Sequence, residues 1–180
     1  MVYILLAPGF EELEAVAPAD ILRRGGAEVA LVGVEGMEIP GGHGIVIRAD
    51  VSMEQVTLGP EDMLVLPGGL GGMQAMERNE NVMALVREAA ARTDIWLCAL
   101  CASPTILGRA GLLNGRRAVC YPGMEGEMSG AHPEMDVHVV TDGRLITGRA
   151  PGAAVETGLA LLSALKGSDC ADRVRQEMYL

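Results

Sequence analysis

Short, uninterrupted apolar runs recur along the chain, and each stops abruptly at Pro, Gly or Cys. Val2–Ala7 (VYILLA) stops at Pro8-Gly9, Met63–Leu66 (MLVL) at Pro67-Gly68-Gly69, and Ile95–Leu100 (IWLCAL) at Cys101. A strand with water on one face alternates apolar and polar residues. A run with no polar position has to be covered on both faces, the condition of a parallel sheet between helical layers. Between the runs lie segments with helical spacing: Glu12–Arg24, closed by Gly25-Gly26, then Val82–Arg92, Pro104–Ala110 and Pro151–Leu165. Further strands are expected at Glu28–Val34, Gly44–Arg48 and Ala118–Tyr121. Val137–Val140 and Arg144–Thr147, joined by Asp142-Gly143, carry the strongest hairpin signal. Pro18 sits inside the first helical pattern and is expected to kink it or reset its start. This order predicts an α/β fold in a single domain, residues 1–180, with a mostly parallel central sheet and helices on both faces.

The core of such a fold has to be aliphatic, because aromatics make up only 3% of the residues while 49% are hydrophobic, eleven of them Met. A formal charge of −10 and a single lysine, Lys166, leave no cationic surface for nucleic acid or an anionic membrane. The first apolar run has no basic flank and is followed by Glu11, Glu12 and Glu14, unlike a secretory signal, and no later run is long enough to span a bilayer. Four cysteines, Cys98, Cys101, Cys120 and Cys170, lack a disulfide-like spacing. They are read as reduced thiols in a cytoplasmic protein.

In open α/β sheets the chemistry lies outside the carboxyl ends of the strands. That directs attention to the loops Pro8–Glu12, Pro67–Gly69 and Cys101–Pro104. The segment Gly68–Gly72 (GGLGG) fits neither nucleotide fingerprint: Gln74 stands where the last Gly of a dinucleotide loop is needed, and no Gly-Lys-Ser/Thr follows. Gly68 and Gly69 are better read as backbone amides free to approach a neighbour. Cys98 and Cys101 spell C-x-x-C. Three residues of strand span about 10 Å, too far for a disulfide, which needs Cα atoms within about 7 Å. Cys98 is therefore expected to be a buried core thiol. Cys101 ends a strand, with Pro104 opening the next helix, the layout of a nucleophile elbow whose helix dipole favours thiolate. The amides of Ala102 and Gly69 are placed to form an oxyanion site. From pattern alone Glu14 reads as a solvated helix-start acid, although Leu13 and Val16 beside it hint at a partly buried carboxyl. His43 and His132 are expected to be exposed and His138 structural, and their spacing gives no metal site.

The segments APGFEELEAVAPADILRRGG, VLPGG, ALCASPTIL and ITGRAPGAAVETGLALL resemble those of the ThiJ/PfpI superfamily, in its protein-deglycase (DJ-one type) branch. The resemblance covers the whole chain, with four separated motifs in the same order. It implies a flavodoxin-like three-layer sandwich and a homodimer, with helix Glu12–Arg24 near the interface and Arg24 approaching the partner's site. It implies that Cys101 is the oxidisable nucleophile, that Glu14 is the proton donor hydrogen-bonded to it, and that Gly69 and Ala102 donate amides. It implies neither cofactor nor metal. Two positions depart from the family pattern: Ala102 stands where the protease-like branch has His, and Tyr121 where the animal deglycases have His. No imidazole base therefore attends Cys101, and a Cys-His peptidase reading is poor. The activity implied is that of a cofactor-free glyoxalase or protein deglycase acting on methylglyoxal, glyoxal or their early protein adducts. The alternative is an oxidative-stress sensor or redox-regulated chaperone, in which Cys101 is oxidised without turnover.

Overall fold

The computed structural model describes residues 1–180. Its first half runs β1 (Val2–Leu6), α1 (Glu12–Arg24), β2 (Val29–Gly33), β3 (Glu38–Pro40), β4 (Val46–Arg48), β5 (Val51–Ser52), β6 (Met63–Leu66), α2 (Leu70–Arg78) and α3 (Glu80–Ala91). The second runs β7 (Trp96–Leu100), α4 (Pro104–Arg109), β8 (Arg117–Ala118), β9 (His132–Pro133), β10 (Val139–Asp142), β11 (Leu145–Gly148), α5 (Ala154–Lys166) and α6 (Ser168–Glu177). Seven strands form the central sheet in the order β10-β11-β7-β6-β1-β2-β5. Every pairing is parallel except the β10–β11 hairpin, where Asp142 faces Leu145.

The unbroken apolar runs are explained by the two core halves. Val2, Ile4 and Leu6 of β1 enter one half, while Leu5 and Ala7 enter the other. Met63 and Val65 alternate with Leu64 and Leu66 in the same way, as do Cys98 and Leu100 with Leu97 and Ala99. Helices α1, α5 and α6 cover the first half, and α2, α3 and α4 the second. The result is the three-layer, flavodoxin-like arrangement. No helix is long and apolar enough to cross a membrane.

Several local expectations change. Pro18 does not reset α1, which runs from Glu12 to Arg24. The proline packs closely against α5: a methyl group on Gly158 of that helix would lie 3.0 Å from its Cα. The strand expected at Gly44–Arg48 leaves the main sheet as β4 and pairs with β3 in a separate antiparallel ribbon. The strand expected at Ala118–Tyr121 shrinks to β8, paired with β9 outside the main sheet. The edge of β7 there is already taken by β11, and the Val119 N–H turns instead to the Thr147 hydroxyl at 2.9 Å. Helix α2 was masked by Gly71 and Gly72, and α6 by its polar sequence, which buries only Ala171 and Val174. Pro151 opens a short 3-10 turn, Pro151–Ala153, ahead of α5.

Candidate active site

Strands β1, β6 and β7 lie side by side, so the loops leaving their carboxyl ends meet. The sheet grows outward in one direction from β1 to β2 and in the other from β6 to β7, which makes the β1/β6 boundary a topological switch point.

Cys101 is the first residue after β7, and its φ of 59° lies in the left-handed region. For a residue with a Cβ this conformation costs on the order of 1 kcal/mol or more and has to be held by its surroundings. Its N–H donates to the Gly148 carbonyl at 2.8 Å, and its own carbonyl accepts the Tyr121 N–H at 2.7 Å. The elbow expected from the sequence is present, with the side chain 7% exposed.

Glu14, in the first turn of α1, is fully buried rather than solvated. Its Oε2 accepts the Gly68 N–H at 2.7 Å. Gly68 is the point of convergence. A methyl group there would lie 2.5 Å from Cys101 Cβ, 2.6 Å from Glu14 Oε2 and 3.1 Å from Cys101 Sγ. The next residue, Gly69, has a φ of +82°, and its Cα faces the backbone of Gly9 and Glu11 too closely for any side chain. The loop is tied on two further sides: Glu11 N–H donates to the Gly68 carbonyl at 3.0 Å, and the buried Ser103 hydroxyl donates to the Pro67 carbonyl at 2.7 Å. Ser103 was not singled out from the sequence, although its place in ALCASP beside Cys101 was a signal.

The electrostatics follow from this burial. Desolvation pushes the Glu14 carboxyl up to about 7, against the Gly68 N–H and the Cys101 thiol, which favour its anion. Glu14 Oε1 is buried without a hydrogen-bond partner. Burial and the Glu14 charge push the Cys101 thiol up to about 12, while the N–H groups of Gly69 and Ala102 pull it down. The low thiol pKa expected from a helix end is therefore not found. Helix α4 has only six residues, and a buried carboxylate opposes it. A proton on Glu14 removes that repulsion and supplies an O–H donor for sulfur, so the two groups titrate as one unit.

The structure thus brings Cys101, Glu14, Gly69 and Ala102 together. Tyr121 joins them through its backbone, while its side chain is 46% exposed. Cys98 is a buried core thiol, raised by burial and by the Glu14 charge, and all four cysteines are free. Arg24 is exposed at the far end of α1 and pairs with Asp20 of its own helix at 2.7 Å. His138 is not a structural core residue: it is exposed and pairs with Glu156 at 2.9 Å. His43 is exposed as expected, yet its Nδ1 lies 2.9 Å from Glu12, with Glu11 at 3.5 Å. These three bring one donor atom each within 4.8 Å of the others, a grouping across the fold that linear spacing could not show. Glu12 is already engaged there, accepting the N–H groups of His43 at 2.7 Å and Ile45 at 3.3 Å, which fastens the ribbon loop to α1.

Sheet, elbow and buried acid define a flavodoxin-like α/β protein built around a strained cysteine. The model of the DJ-1/PfpI family matches residues 1–164, and the chain belongs to that family. Protein dj-1beta of Drosophila melanogaster is 37% identical over 179 residues, covering 98% of this chain and 95% of that protein. A protein of Pyrococcus abyssi (strain GE5 / Orsay) named a deglycase is 35% identical over 155 residues, covering 84% and 90%. The crystal structure of Drosophila melanogaster DJ-1beta matches with a TM-score of 0.93 at 35% identity, covering 99% of this chain and 97% of that one.

Proposed function

We propose that the protein is a cysteine-dependent, cofactor-free glyoxalase or protein deglycase acting on methylglyoxal, glyoxal or their early protein adducts. The observation that carries this reading is the meeting of Cys101 and Glu14 across the Cα of Gly68, beside the N–H groups of Gly69 and Ala102. The thiolate that forms when Glu14 holds the proton adds to the aldehyde carbon. An S–C bond forms and the carbonyl electron pair moves to oxygen, where those amides stabilise it. The oxygen takes its proton from Glu14, leaving a hemithioacetal and a carboxylate. The same carboxylate then removes the C–H proton, which passes through an enediol to the neighbouring ketone carbon. One carbon is oxidised and the other reduced, so no external oxidant enters. Water cleaves the resulting thioester to a 2-hydroxy acid and restores the thiol. A Glu14 held near 7 is suited to give and take protons at neutral pH. The deglycase name of the Pyrococcus relative supports the same substrate class.

The test is lactate formation from methylglyoxal in metal-free buffer, with the aldehyde's reaction with buffer subtracted. Turnover is expected from the wild type and should vanish in Cys101→Ser. No lactate from a wild type whose Cys101 is oxidised by peroxide to sulfinate would move the assignment to redox sensing. We further propose a homodimer formed about α1, because Leu13 and Val16 on that helix and Ile45 and Val46 on the β3–β4 ribbon are exposed apolar side chains.

A further inference from the structure

Both backbone polar groups of Cys101 are bonded to segments that line one open cavity of about 400 Å³. Its carbonyl holds Tyr121, and its N–H holds Gly148, the residue before Arg149. Tyr121, His138 and Arg149 line that cavity, together with Ala150 and Gly152. Eight of the arginines are engaged in ion pairs. Of the other five, Arg48, Arg78, Arg87 and Arg175 are exposed, and only Arg149 is held partly out of solvent. Two carboxylates lie close to this wall. Glu156 is taken by His138 at 2.9 Å. Glu125 feels the Arg149 charge and accepts the Gly123 N–H at 2.9 Å, but it makes no ion pair with Arg149. In a chain of net charge −10, a partly desolvated guanidinium without an ion pair, one residue from the backbone partner of Cys101, is available to an anion from outside.

We propose that this cavity is a carboxylate subsite of the Cys101 site, with Arg149 and the Tyr121 hydroxyl receiving the carboxylate of a small oxo acid whose aldehyde carbon reaches the sulfur. The inference rests on the aldehyde chemistry proposed above and extends it to a substrate class, aldehydes that carry an adjacent carboxylate. With glyoxylate as probe, sulfur adds to the aldehyde carbon, the carbonyl pair moves to oxygen, and that oxygen takes the Glu14 proton. The carboxylate is unchanged. No neighbouring ketone carbon is available to receive the C–H proton, so the adduct stops at the hemithioacetal and reverses.

Protection of Cys101 from iodoacetamide, read by peptide mass mapping on the full chain, tests this. Glyoxylate is compared with glycolaldehyde, a neutral aldehyde of similar size, and each aldehyde's own reactivity cancels when wild type is compared with variant. The wild-type preference for glyoxylate should fall about tenfold in Arg149→Gln and be retained in Arg149→Lys. It should also weaken as salt is added to the wild type. An unchanged preference in folded Arg149→Gln, or a salt-independent preference in the wild type, overturns the subsite. The salt series decides the matter if the Gln variant does not fold. Methylglyoxal turnover by the same wild-type preparation reports separately on the parent reading. Turnover without the charge preference sinks only the subsite, whereas protection by neither aldehyde sinks the aldehyde chemistry and the subsite with it.

Discussion

At the residue scale, the site depends on an acid that would otherwise be expected in water. The Glu14 carboxyl, raised from 4.5 to about 7, binds its proton more tightly in the folded than in the unfolded chain. The folded state therefore holds more protons between those two values, and stability falls as pH rises through that window. The full effect is on the order of 3 kcal/mol, at roughly 1.4 kcal/mol per pKa unit. Thermal melts of the wild type across this range should lose stability relative to Glu14→Gln as pH rises to neutrality; parallel curves would show that the carboxyl titrates normally. Thiolate absorbance tests the partnership with sulfur. In Glu14→Gln the negative charge is gone and an amide donor remains, so Cys101 should titrate below its wild-type value of about 12, although burial still raises it. In Glu14→Leu the donor is lost as well, and the thiol should titrate about a unit or more above the Gln variant. Identical titrations in the wild type and both variants would make Glu14 a bystander.

At the scale of elements, the reactive geometry is a junction of loops and not the property of one motif. The Ser103 hydroxyl ties the elbow after β7 to the Pro67-Gly68-Gly69 loop after β6. Ser103→Ala should cost about 1–3 kcal/mol, the penalty for leaving the buried Pro67 carbonyl unpaired, seen as a lower melting temperature together with reduced methylglyoxal turnover. An unaffected melt would mean that the loop is held by Glu11 and Glu14 alone. Helix α4, which follows the elbow, is held down on its other side. A methyl group on Gly108 would lie 2.4 Å from the Glu127 carbonyl oxygen and 2.5 Å from Met128 Cα, both backbone atoms that have little room to yield. Gly108→Ala should therefore destabilise by about 2 kcal/mol or more, measured by denaturant unfolding. A neutral result would show the 125–129 turn free to move away.

At the scale of the whole molecule, the exposed Leu13, Val16, Ile45 and Val46 predict self-association about α1. Light scattering at micromolar concentration should give twice the monomer mass, and Val16→Asp should return it to the monomer. A monomeric wild type would refute the dimer. The fold was legible in the sequence because burial on both faces removes polar residues from β1, β6 and β7, and the turn residues after them mark where the loops leave. The elbow was legible for the same reason: a strand that stops at Cys101 three residues before Pro104 has little choice of geometry. Partners far apart in the chain were not legible. Glu14 looks like any acid opening a helix, and only the packing of α1 under the Gly68 loop buries it, raises its pKa and brings it to the sulfur. Arg149 and Tyr121 are likewise far apart in sequence, and only the backbone bonds that Cys101 makes to Tyr121 and to Gly148, the residue before Arg149, bring them around one cavity. Periodicity and turn chemistry are local properties that a sequence displays directly. Desolvation and convergence depend on which distant segments come to share a volume, and that was decided by the tertiary structure.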